Sequence, residues 1–214
     1  MKKISFCLMA LALAASTMFT SCGDDDDDND DKNFLEQINS INASVKDGAQ
    51  FSTSTAAFYQ AASNMEETGT SKLSDFFSGS INGATTIIGT SNGKQVAINI
   101  KGTTTDTYEL NLGLNDDVAI ANAIVTVLGG GSVKDAIQNA VKTDALIIYR
   151  ASGDDEKSST YYMSSKATVE ANFDLLVYST GTFTATMVNP SKDTFQMTGQ
   201  YRVFGKPTVK TSSK

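Results

Sequence analysis

Asn92-Gly93 sits between two runs rich in β-branched residues, Thr85-Thr86-Ile87-Ile88-Gly89-Thr90 and Gln95-Val96-Ala97-Ile98-Asn99-Ile100-Lys101. A two-residue Asn-Gly link favours positive φ at both positions, the geometry of a type I′ turn, whose twist matches that of paired strands. Val96, Ile98 and Ile100 fall on one side of the second run, and Gln95, Asn99 and Lys101 on the other. That is the period of a half-buried strand. The two runs are therefore expected to form an antiparallel hairpin. A lone hairpin is marginal in water, so this one commits the chain to a larger sheet.

The period of two recurs downstream. Thr107-Tyr108-Glu109-Leu110-Asn111-Leu112 and residues 145–150 read as strands, and 160–163 and 167–173 as two more. In 181–188, Phe183, Ala185 and Met187 share one face and threonines occupy the other. Asn189-Pro190-Ser191-Lys192-Asp193 reads as a turn. Residues 194–204 then place Phe195, Met197, Tyr201 and Val203 inward, with Gln196, Thr198, Gln200 and Arg202 outward. Short alternating strands with polar turns predict a mainly β (α+β) fold, an antiparallel β-sandwich or partial barrel over residues 80–206.

Helical spacing interrupts this pattern twice. Phe34, Leu35, Ile38, Ile41 and Val45 predict an amphipathic helix from Asn33 to Gly48, its apolar stripe packed on the domain. Residues 51–67 fit either a second helix or an extended start at Phe51, and Leu73, Phe76 and Phe77 form an apolar knot. Residues 34–79 are thus expected to be a helical segment. Within the β domain, 116–142 reads as a helical-hairpin insertion. One buried helix runs from Val118 to Leu128, Gly129-Gly130-Gly131 stops it, and a second helix opens at Ser132. The Gly-rich link is not a phosphate loop, because a helix precedes it and the G-x-x-x-x-G-K-[ST] spacing is absent. Residues 207–214 read as a flexible tail.

Composition narrows the chemistry. The chain has no histidine, which removes Ser-His-Asp and Cys-His catalysis and imidazole zinc sites. Glu66-Glu67, Asp116-Asp117 and Asp154-Asp155-Glu156 read as solvated turns and caps, not as the facing pair a glycosidase needs. No catalytic residue, metal site or cofactor is expected. With no basic face, no nucleic-acid partner is expected either. Tyr161-Tyr162 is the candidate ligand contact: adjacent strand residues face opposite ways, so one ring enters the core and the other can stack on a sugar.

The N-terminus reads as an address. Lys2 and Lys3 precede the apolar stretch Ile4 to Phe19, which is shorter than the ~20 residues of a membrane span and has the length of a secretory signal core. Thr20 and Ser21 then precede Cys22. This resembles a bacterial lipobox, with residues 1–21 removed and Cys22 carrying a diacylglyceryl and acyl lipid. The other reading is an ordinary cleaved signal with Cys22 as a leftover thiol. Asp24, Asp25, Asp26, Asp27 and Asp28, with Asp30 and Asp31, follow in an acidic tether, residues 22–33. Such a run repels itself and stays extended. It serves as a spacer, or as the surface-export signal that it resembles in Bacteroidota lipoproteins. These acids account for most of the formal net charge of −7. Without them and the two leader lysines, the remainder carries 15 basic against 17 acidic residues.

Gly93, Thr107, Tyr108, Leu110, Gly181, Thr182, Phe183, Tyr201 and Val203 carry a wider resemblance. They fit a hairpin, a T-Y-x-L strand, a late G-T-F strand and a closing Y-x-V strand, a set similar to a group of Bacteroidota surface lipoproteins. The resemblance implies a β-sandwich or partial barrel on a lipid anchor in the outer membrane, facing the exterior or, alternatively, the periplasm. It implies no particular activity, and the readings that remain are a surface binding module for a glycan or protein partner, an accessory subunit of an envelope complex or, last in order, a carboxylate-based hydrolase.

Two outcomes test the address. Cys22→Ala is expected to abolish acylation and move the protein out of the membrane fraction, read by metabolic lipid labelling. Replacing Asp24 to Asp28 by alanine is expected to leave acylation intact while protecting the protein from protease added to whole cells.

Overall fold

A computed structural model describes residues 39–61, 85–113, 117–128, 142–151, 159–174, 178–204 and 208–210. The leader, Cys22, the aspartate tether, the Leu73–Phe77 knot, the second helix of the insertion and the 153–157 loop lie outside the described residues. In chain order the strands are β1 (Ser40–Ser44), β2 (Gln50–Thr53), β3 (Ala57–Ala61), β4 (Thr85–Ser91), β5 (Lys94–Ile100) and β6 (Asp106–Asn111). Helix α1 (Asp117–Leu128) follows. Then come β7 (Lys142–Thr143), β8 (Ala145–Arg150), β9 (Tyr161–Asp174), β10 (Tyr178–Val188), β11 (Thr194–Phe204) and β12 (Thr208–Lys210).

One mainly antiparallel sheet contains all twelve strands, ten of them in the order β12-β3-β4-β5-β8-β9-β10-β11-β1-β2, with β6 paired to β9 and β7 to β6 off this path. The pairing of β12 with β3 is parallel. The expected hairpin forms with Ser91 opposite Lys94, and Asn92 and Gly93 take φ of 50° and 74°. The sheet curls, so that β2 comes to face β4 across the core. A Cβ on Gly89 of β4 would lie 2.7 Å from the Thr53 side chain and 2.9 Å from that of Ile41.

β10 is the spine of the curl. All eleven of its residues pair with β11, and all eleven pair with β9. Phe183 stands opposite Gly199, and Tyr201 stands opposite Gly181. Each ring occupies the space that a side chain on the facing glycine would need. A Cβ on Gly199 would meet the Phe183 ring and the Asn42 carbonyl at 2.5 Å, and one on Gly181 would meet the Tyr201 ring at 2.6 Å. The two Gly–aromatic pairs interlock in opposite directions and so pin the register.

β9 changes partner along its length. Tyr161 to Met163 pair with β8, and Lys166 to Ala171 pair with β6 on the same edge. The register against β10 shifts between Thr186 and Met187, leaving Ser165 as the extra residue of a bulge. Buried serines tie the switch together. Ile147 N donates to Ser164 Oγ at 3.0 Å, Ser165 Oγ donates to the Thr186 carbonyl at 3.3 Å, and Leu112 N donates to the Ser165 carbonyl at 3.2 Å. The sequence pattern divides this strand in two at these serines, whereas the bulge carries the backbone through without a break.

Other expectations change. Strands begin at Ser40 instead of Ser80, and no helix spans 39–49. Ile41, Ala43 and Val45 are buried at a period of two, and β1 pairs with β11 from Ser40 opposite Arg202 to Ser44 opposite Thr198. Ladder pairing there outweighs a helical spacing drawn from five apolar residues. Asp47 and Gly48, both with positive φ, turn the chain into β2 within a single 3₁₀ turn. Phe51 does start an extended segment. Helix α1 is confirmed but only half-buried: Ile120, Ala121, Ile124 and Val127 enter the core, while Val118 and Val125 are 45% and 48% exposed. Thr208–Lys210, assigned to the tail, pair with β3.

Because the Gly199 contacts are partly with backbone, Gly199→Ala is expected to destabilise the domain by about 1–3 kcal/mol, the cost of overpacking a close contact. Urea unfolding should show a lower midpoint with an unchanged slope, and Gly181→Ala should behave alike.

Candidate functional site

Successive residues of β6, β9, β10 and β11 separate cleanly by face. Inward lie Tyr108, Leu110, Ala167, Val169, Phe183, Ala185, Met197 and Tyr201, all buried. Outward, the register aligns side chains in rows across the sheet. Asn111, Lys166, Thr186 and Gln196 form one row, and Glu109, Thr168, Thr184 and Thr198 the next. Lys142 of β7 extends the first row on the far side of Asn111. Gln196 Nε2 donates to Thr186 Oγ1 at 3.0 Å, so amide and hydroxyl brace each other across strands.

An open groove of about 240 Å³ lies over these rows. Its polar walls come from Glu109, Asn111, Lys142, Lys166, Thr168, Thr184, Thr186 and Gln196. It sits beside the Ser165 bulge, where β9 exchanges β8 for β6 and the short β7 borders the sheet. Hydroxyls and amides supply both donors and acceptors, and two ammonium groups and one carboxylate supply charge. Such a lining suits a polar ligand held by many weak hydrogen bonds. Among the described residues, no group of three or more His, Cys, Asp or Glu is placed to hold a metal ion.

Tyr161 and Tyr162 are not where a surface-stacking role needs them. They do point to opposite faces, but both are buried, at 8% and 4% exposure. The reason is that the sheet is covered on both sides over β4, β5 and β8, where Ile88, Ala97 and Ile148 on one face are as buried as Ile87, Ile98 and Ile147 on the other. Tyr162 packs in an aromatic cluster, 6.2 Å from Tyr149 and 5.1 Å edge-on from Phe195, ring centre to ring centre.

The Tyr162 hydroxyl leaves that cluster to donate to Asp193 Oδ2 at 2.8 Å. Lys46 Nζ donates to the same oxygen. Asp193 is held in place by its own turn, its N–H donating to Asn189 Oδ1 at 2.9 Å. The hydrogen bonds from Lys46 and Tyr162 lower the Asp193 pKa, and that from Lys46 to Asp193 raises the Lys46 pKa. Burial raises Tyr162, with the Asp193 bond adding to it. This trio fastens the β1–β2 turn to the β10–β11 turn and is structural. Deeper in the core, burial pushes Tyr201 up to about 12, opposed by its hydrogen bond with Ser179.

The groove residues escaped the sequence reading. The outward threonines of β10 were legible from alternation, but Lys142 belonged to the expected helical insertion, and its approach to Lys166 depends on strand order. No protein-family model, curated protein or solved structure matches this chain.

The pH dependence follows from these shifts. Asp193 is depressed in the folded state, so its contribution is present above about pH 4 and is lost as the pH falls through its lowered value. Asp193→Asn should reduce neutral stability and flatten the acid side of the stability curve. Tyr201 is raised, so its contribution is complete below about pH 10 and is lost by about pH 12, on the order of 3 kcal/mol. Tyr201→Phe should cost about 1–3 kcal/mol at pH 7, because the Ser179 hydroxyl loses its partner, yet lose less stability between pH 10 and 12. Urea midpoints across pH check both.

Proposed function

We propose that this chain is a lipid-anchored envelope protein of the kind its lipobox and acidic run resemble, presented at the cell surface. In this reading its β domain is a binding module without catalytic activity. Cys22 would hold the lipid, Asp24 to Asp28 would direct export, and the ligand would lie in the groove over β6, β9, β10 and β11. The observation that carries the binding role is the groove itself, a concave site lined by hydroxyl, amide and charged groups converging from four strands and β7. Ordered polar groups in a concavity are what fix a ligand's orientation. A glycan is the favoured ligand class, since hydroxyls and amides match sugar hydroxyls as both donors and acceptors. The same rows support the finer description of the fold as a partial barrel, with the core inside the curl and the polar plane outside.

The accessory-subunit reading has one observation in its favour. Val118 and Val125, seven residues apart on α1, expose apolar surface on one side of that helix.

A glycan array probed with the full chain in mild detergent tests the proposal. Binding to a defined glycan set is expected, and Thr184→Tyr, which fills the groove from an exposed position with little effect on stability, should remove it. Absence of any glycan signal, together with one stoichiometric protein partner from solubilised envelope that Val118→Asp/Val125→Asp releases, would replace the binder by the accessory subunit.

A further inference from the structure

We infer that the groove selects an acidic glycan, a polymer whose sugars carry carboxylate or sulfate groups. This rests on the groove being the binding site. Lys142 and Lys166 both stand opposite Asn111, one from each neighbouring strand. With strands ~4.8 Å apart, their stems are roughly 10 Å apart on one row. Both lysines are exposed. Among the described residues neither takes part in an ion pair, whereas Lys46 is matched to Asp193. Two unmatched ammonium groups in one concavity repel each other, and the uncharged Asn111 amide between them does nothing to relieve that.

An anionic ligand relieves it. One acidic group can sit beside each ammonium, while the sugar hydroxyls between them meet Asn111, Thr168, Thr184, Thr186 and Gln196. Glu109 lies one row away and accepts hydroxyl protons, leaving the groove with a single net positive charge. Outside the leader and tether the chain carries 15 basic against 17 acidic residues, so this is a local reversal of sign that favours anions. Because the lysines are exposed, each pair is weak and salt-sensitive, so selectivity comes from their spacing and from the hydroxyl rows.

Calorimetry of the full chain in detergent against polygalacturonate, dextran sulfate and neutral dextran tests this. Both acidic polymers are expected to bind, at least tenfold more tightly than dextran, and to weaken as NaCl rises. Lys166→Gln should weaken them about fivefold, as should Lys142→Gln. Lys94→Gln, on the β4–β5 hairpin outside the groove, should change nothing. A preference between the two polymers distinguishes carboxylate from sulfate. If dextran binds as tightly as the acidic polymers and Thr184→Tyr abolishes that binding, the groove is the site but the acidic class is wrong. If the double lysine variant binds the acidic polymers as the native chain does, the inference fails. If no polymer binds, or Thr184→Tyr leaves binding intact, the groove reading fails with it.

Discussion

The sheet depends on the interlock of Phe183 with Gly199 and of Tyr201 with Gly181. Strand pairing by backbone alone tolerates slippage, and a slip of one residue would exchange the faces of β10 and β11. The two rings prevent that, since each fits only opposite a residue without a side chain. Gly199 also lies against Ala43 and the Asn42 carbonyl, so the same contact seats β1 on β11. Register set at this point passes outward to β9, then to β6 and β8, through continuous ladders.

Fixing the register also fixes the two faces. Inside, apolar residues close the curl, and β2 meets β4 over Gly89. Outside, threonine, glutamine, asparagine and lysine align in rows. The bulge at Ser165 then allows one strand to serve two neighbours, β8 and β6. Lys142 reaches the row of Lys166 only because β6 lies between them. The groove is thus a consequence of the partner switch in β9, and its chemistry is that of the outward residues which the register brings into line.

Several buried polar groups have partners that explain them, whereas Arg150 Nε is buried with no hydrogen-bond partner among the described residues. Asn99 Nδ2 donates to Thr86 Oγ1 at 2.8 Å within the doubly covered half of the sheet. Tyr162, Asp193 and Lys46 fasten two turns, with the hydroxyl reaching out of an aromatic cluster. Among the described residues, the groove lysines take part in no ion pair.

Local chemistry alone determined the Asn92-Gly93 hairpin, helix α1 and the alternation of β10 and β11, because turn geometry and side-chain period are properties of neighbours in the chain. Asp47-Gly48 offered a similar turn signal for β1 and β2, overshadowed by an apolar spacing that fits a helix equally well. The outward threonines of the groove were legible on the same grounds. Tertiary structure decided that 40–44 is a strand, that β9 runs on through Ser164-Ser165, that Tyr161 and Tyr162 are both covered, and that Lys142 and Lys166 share a row. Each of these depends on which strands lie side by side and in what register, and that is set by contacts between residues far apart in the chain.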